Sequence, residues 1–140
     1  MPYEKISEAL RRQVEERAQN YCEYCCYPGL VSSQRLTIDH IKPRKSGGKT
    51  EFENLALCCS GCNEHKYKKT HGIDPETGEK AALFNPRQQV WTEHFEWSDD
   101  FTHVIGRTAY GRATEKALCM NRVNLVTARS ELAKLGLHPP

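Results

Sequence analysis

The chain has 140 residues, 20 Lys and Arg against 18 Asp and Glu, and a formal net charge of +2. That length suits one ordinary domain with a modest core and excludes a large multidomain enzyme. At 38% hydrophobic and 27% charged residues, the composition is wetter than a core-rich domain but far from that of a disordered chain.

No stretch approaches the roughly 18 apolar residues a membrane span requires. The opening Met-Pro-Tyr-Glu-Lys lacks the apolar run of a secretion signal, so a cytoplasmic address and no membrane partner are expected. The global charge is too small to name a partner. Its distribution is uneven, with 12 Lys and Arg against 9 Asp and Glu over residues 1–70, and 8 against 9 over residues 71–140. Two clusters carry the excess, Lys42, Arg44, Lys45 and Lys49, then Lys66, Lys68 and Lys69. Such spacing suits a phosphate backbone or an ordinary solvated surface.

In chain order, residues 7–19 predict an amphipathic helix, with Ser7 as N-cap and Ala9, Leu10, Val14 and Ala18 near one stripe. It leads into Cys22-Glu-Tyr-Cys25-Cys26. Residues 35–41 alternate like a β-strand, with Leu36 and Ile38 on one side and Thr37 and Asp39 on the other. Pro43 and Gly47-Gly48 mark a loop. Cys58-Cys59-Ser-Gly-Cys62 opens a short helix over 60–69, which sets Asn63, Lys66 and Tyr67 on one face. Residues 71–79 read as a turn-rich connector. Residues 89–97 and 101–107 predict a hairpin around Ser98-Asp99-Asp100. Residues 112–135 predict helix, broken near Asn121 or Asn124 and ended at Gly136. Trp91, Phe95 and Trp97 alternate on the first hairpin strand, a pattern more typical of core than of a base-stacking platform.

Seven cysteines in a chain without secretory features point to metal ligation or catalysis rather than disulfides. Six of them fall in two groups, each containing a C-x2-C knuckle. Four thiolates make a closed tetrahedral structural zinc site, and Cys22, Cys25, Cys59 and Cys62 are the expected ligands. A Cys58-x3-Cys62 register remains open beside it. Cys119 stands alone and reads as a small core residue.

Between the knuckles stand Ile38-Asp39-His40-Ile41-Lys42-Pro43, then Gly47-Gly48, then Asn54-Leu55, and just past the last cysteine Asn63. This order resembles the HNH endonuclease family in its zinc-containing form with two cysteine knuckles. The likeness covers roughly residues 15–70, while residues 71–140 more weakly resemble an extension of small bacterial, notably cyanobacterial, HNH proteins. The resemblance implies an α+β fold: a ββα-metal finger stapled by a four-cysteine zinc site, with a helix before it and a β-hairpin and C-terminal helices after it. It divides the chain into a nuclease core over 1–70 and an extension over 71–140 packed on it.

It also implies roles. His40 is the expected general base, because an unperturbed histidine side chain titrates at roughly 6.5, near the operating pH, and Asn54 holds the loop and helps orient it. Asp39 and Asn63 are the expected ligands of a catalytic Mg2+ or Mn2+. His65 is not placed by the pattern. Lys42, Arg44, Lys45, Lys66, Lys68 and Lys69 would border the backbone of DNA or another nucleic acid. The reading from another class is a noncatalytic zinc-ribbon module that binds nucleic acid or protein; Asp39, His40 and Asn63 together speak against it. Oligomeric state is left open.

Overall fold

The computed structural model describes residues 6–140. Helix α1 (Glu8–Arg17) begins where Ser7 Oγ accepts the Leu10 amide at 3.1 Å, the N-cap bond expected of that serine. Val14 is fully buried, with Leu10 and Ala18 packed beside it, whereas Ala9 faces solvent. The apolar stripe is therefore narrower than the sequence predicts.

Strands β1 (Thr37–His40) and β2 (Leu55–Cys58) pair antiparallel, with Asp39 opposite Ala56 and His40 opposite Leu55. All four residues of β2 are buried, with β1 on one edge and α1 packed against the strand. Arg17 fastens α1 to this sheet: its Nη1 donates to the Phe52 carbonyl at 2.8 Å, its Nη2 donates to the Leu55 carbonyl, and its guanidinium lies over the Phe52 ring. Helix α2 (Ser60–Lys66) follows β2 directly. It ends at Lys66 because Tyr67 turns to φ 49°, so Lys68 and Lys69 lie beyond the helix rather than on its continuation.

The expected connector over 71–79 proves to be part of a second hairpin. Strands β3 (His71–Ile73) and β4 (Lys80–Ala82) pair across it, and Asp74-Pro75 and Thr77-Gly78 form its tip. Three-residue strands are too short for alternation to announce them. A single helical turn, α3 (Trp91–His94), precedes β5 (Phe95–Trp97), which pairs with β6 (Val104–Gly106). Trp91 therefore lies on a helix and not on a strand with Phe95 and Trp97. The three rings still cluster, with centroids 5.0 and 5.1 Å from Trp91 to Phe95 and Trp97, and they belong to the core or its border. Helices α4 (Ala109–Ala117) and α5 (Val123–Lys134) complete the chain, and the break between them spans the expected Asn121. Cys119 sits in that break at φ 49°, exposed, and not in the core.

The fold is thus α+β, with five helices and three two-stranded antiparallel sheets among the described residues. One buried apolar cluster runs through it, from Val14, Leu36 and Leu57 to Phe84, Val104 and Leu125. No helix among the described residues is long and apolar enough to cross a membrane.

The hairpin of β3 and β4 is held to α4 by charge. Asp74 is buried, and Arg112 donates to both its oxygens at 2.9 Å. Arg112 holds the Asp74 carboxyl down at about 2. The pair is therefore formed throughout the neutral range, and its contribution weakens only as pH falls from roughly 4 towards that value. Glu76 meets the same guanidinium at 3.3 Å but is 68% exposed. Thermal melting at pH 7 should show a clear loss of stability for Asp74→Asn and almost none for Glu76→Gln, because exposed ion pairs contribute about 0–1 kcal/mol.

Candidate functional site

Two knuckles build the first part of the site. In the first, the Cys26 amide donates to the Cys22 carbonyl at 2.9 Å, and a Tyr21–Pro28 bridge closes the loop. Cys26 itself adopts φ 66°, which reverses the chain and turns Cys22 and Cys25 towards the same point. In the second, Cys59 is the N-cap residue of α2 and Cys62 lies in its first turn. The sulfurs of Cys22, Cys25, Cys59 and Cys62 lie within 4.8 Å of one another, and all four residues are buried. Around one tetrahedral ion with metal–sulfur bonds of roughly 2.3 Å, sulfurs stand about 3.8 Å apart; Cys25 Sγ and Cys59 Sγ are 3.6 Å apart. The donor set fits a tetrahedral, thiophilic metal ion. Cys58 is outside this group, its thiol turned to the Cys59 carbonyl at 3.4 Å, so the structure selects the x2 spacing.

A residue that sequence reasoning missed lies against the cluster. Arg122, at the N-terminus of α5, directs Nη2 at Cys59 Sγ at 3.5 Å and Nη1 at Cys62 Sγ at 3.8 Å. Burial disfavours its charge, but the Cys62 and Cys59 sulfurs more than compensate and hold its pKa above the ordinary arginine value. Gly61 makes the approach possible, since a Cβ there would stand 2.4 Å from Arg122 Nη2. Nothing local in the sequence marks an arginine 60 residues away as a partner of Cys62.

The second part is a cleft of about 210 Å³ at the open end of β1, walled by Asp39, His40, Asn63, Arg44, Lys45 and Lys68 among others. The neighbours Asp39 and His40 meet the distant Asn63 here because β1 supplies the first two and α2, begun in the second knuckle, supplies the third. His40 Nε2 lies 2.8 Å from Thr50 Oγ1. Asn54 pins the intervening loop: its Oδ1 accepts the Lys42 amide at 2.9 Å, and its Nδ2 donates to the carbonyls of Lys42 at 3.0 Å and Lys49 at 2.8 Å. The loop must be glycine at its tightest point. A Cβ on Gly48 would lie 1.7 Å from the Lys42 carbonyl oxygen, and Gly47 has φ 93°.

Asp39 is buried, and its partners are internal. Tyr24 Oη donates to Oδ2 at 2.8 Å, and Lys66 Nζ stands 3.1 Å from the same oxygen and 3.3 Å from Oδ1. Burial raises the Asp39 pKa, against the pull of Lys66 and Tyr24 in the other direction.

Lys66 corrects the expectation of a surface phosphate contact. It is 1% exposed, and its ammonium also donates to the carbonyls of His40 at 3.2 Å and Ile41 at 3.1 Å. Its charge is used inside the protein, and its place four residues after buried Cys62, on the inner face of α2, was the available signal. Lys42, Lys45, Lys68 and Lys69 are exposed, Arg44 is half-buried at the cleft, and His65 is exposed.

The two cysteine registers are separated by substitution. Cys58→Ala should keep the metal, and Cys59→Ala should lose it together with the α2 fold; metal content per chain and circular dichroism read the two effects.

Residues 22–69 match the family model described as HNH endonuclease. No curated protein and no solved structure matches the chain. The matched segment begins at Cys22, contains Asp39, His40, Asn54 and Asn63, and includes all four clustered cysteines. Over residues 22–69 the chain is therefore similar to the HNH endonucleases, and within that segment its two cysteine knuckles converge on one candidate metal site.

Proposed function

We propose that the protein is a divalent-metal-dependent endonuclease that hydrolyses phosphodiester bonds of DNA. The observation that carries this reading is the cleft at the end of β1, where Asp39, His40 and Asn63 share one wall system with Arg44, Lys45 and Lys68. Hydrolysis of a phosphodiester needs a base for water and positive charge on the phosphoryl and leaving oxygens. The cleft offers both in one place.

His40 is the general base. The contact of its Nε2 with Thr50 Oγ1, at 2.8 Å, holds the orientation of the ring at the cleft. Asn54 acts at one remove, holding the loop that carries Thr50 and Gly48. Arg44, Lys45 and Lys68 attract and align the phosphate backbone.

Asp39 and Asn63 would hold a hard cation, Mg2+ or Mn2+, since a carboxylate and an amide oxygen suit such ions and leave room for phosphate and water. When bound, that ion supplies charge stabilisation to the phosphoryl and leaving oxygens. Lys66 already balances Asp39, so the protein alone presents little net negative charge to a cation and the substrate phosphate completes the site.

The cysteine cluster has a separate task. Zn2+ is the ion that four thiolates hold in closed tetrahedral sites, and such a centre carries a net charge of −2. Arg122 donates to two of the sulfurs. Arg129 is buried, its charge disfavoured by that burial and favoured by Cys25, Cys26 and Cys62. Arg122, which contacts the sulfurs, thus offsets part of the charge of the centre.

The decisive experiment incubates the zinc-loaded protein with supercoiled plasmid, with and without added Mg2+ or Mn2+, beside His40→Ala. Divalent-dependent nicking should fall at least about 100-fold in the variant, with zinc content and melting temperature retained. Folded, zinc-loaded protein that cuts no form of DNA or RNA would overturn the enzyme reading in favour of a binding module. Equal zinc loss in His40→Ala would show a wrong ligand set. For the zinc centre, Arg122→Ala should release its ion to a chromogenic chelator several-fold faster than the parent, with Arg122→Lys intermediate because it keeps charge but not the forked geometry.

A further inference from the structure

A second cavity, of about 630 Å³, is lined by residues that are chain neighbours of those walling the cleft. The segment Ile41-Lys42, which follows His40 directly, forms one wall, and Lys66 stands between the two spaces with its ammonium bonded to Asp39 and to the carbonyls of His40 and Ile41. The opposite wall comes from the C-terminal half, with Gln88 and Tyr110 prominent. No carboxylate lines it, and Lys42 and Lys69 give it positive charge. Lys69 Nζ donates to the His65 carbonyl at 3.0 Å, which holds that ammonium at the rim. Tyr110 is 42% exposed, with its ring held edge-on by His94 at 5.4 Å between centroids. The volume is in the range of small-molecule sites, and the side chains are the kinds that contact phosphate, stack on a base and read a base edge.

We propose that this cavity is the subsite for the substrate nucleotide next to the scissile phosphate: Lys42 and Lys69 contact its phosphate, Tyr110 stacks on its base, and Gln88 reads the base edge. The assignment rests on the nuclease reading of the cleft. A strand with one phosphate at Asp39 and His40 has neighbouring nucleotides to place, and this cavity is a carboxylate-free space whose Ile41-Lys42 wall follows His40 directly in the chain and whose Lys66 bonds to Asp39. The C-terminal half thereby becomes a substrate-reading element instead of a passive support.

The test pairs cleavage with binding. For plasmid cleavage, Tyr110→Ala should raise KM about tenfold while affecting kcat far less, with Tyr110→Phe restoring KM because it keeps the ring. Binding of a fluorescein-labelled oligonucleotide, followed by anisotropy on the His40→Ala background, should weaken with Tyr110→Ala by a similar factor. Unchanged KM and binding in Tyr110→Ala and Gln88→Ala, alongside weakened binding in Lys45→Ala, would refute the subsite and leave the nuclease intact. If the wild type cuts nothing, binding alone decides: weakening by Tyr110→Ala upholds the nucleotide subsite without the nuclease, and absence of any binding removes both.

Discussion

Everything at the site depends on four sulfur atoms drawn to within 4.8 Å of one another. Cys25 and Cys59 are 34 residues apart in sequence, and the chain between them holds β1, the glycine loop and β2. A finger of two four-residue strands and a seven-residue helix buries too little to hold itself closed. The gathered cysteines fix where α2 starts, and a metal ion joining them would remove much of the entropy of the open loop. That starting point decides where Asn63 and Lys66 arrive.

The ammonium of Lys66 is the next link. It is buried beneath the cleft and has a carboxylate and two carbonyls as partners, which is the condition under which a buried charge is tolerated. The same contacts tie α2 to the last residues of β1. Asp39 is thereby held in place and partly neutralised, with Tyr24 from the first knuckle on its other side. The cysteine cluster and the cleft are consequently one mechanical unit: Tyr24 precedes Cys25, and Lys66 follows Cys62 by one turn.

The C-terminal half braces that unit at several points. The Trp91 indole donates to the Tyr24 carbonyl at 2.8 Å, Arg87 pairs with Glu23 inside the first knuckle, and Arg122 lies on the sulfurs of the second. Glu23 in turn accepts the Leu57 amide at 2.8 Å, carrying the connection into β2. A site made only of the finger would expose Cys59 and Gly61 where Arg122 now lies.

Much of this was legible in the residues. Paired C-x2-C spacings, the Ser7 cap, the β1 alternation and the order Asp-His, Gly-Gly, Asn, Cys-x2-Cys-Asn are local signals, because metal knuckles, caps and tight turns each constrain a few neighbouring residues. Local signals favoured Cys59 by the commoner x2 spacing but left Cys58 as an alternative, since adjacent cysteines differ only in where the backbone points them. Nor could they show the β3–β4 hairpin, whose strands are shorter than any readable period. Lys66 looked like one member of a basic run, and no local signal singled out Arg122. What each cation faces is set by residues 27 and 60 positions away, so only the tertiary structure, which brings distant backbone and sulfur atoms to a buried charge, decided that neither is a surface residue awaiting phosphate.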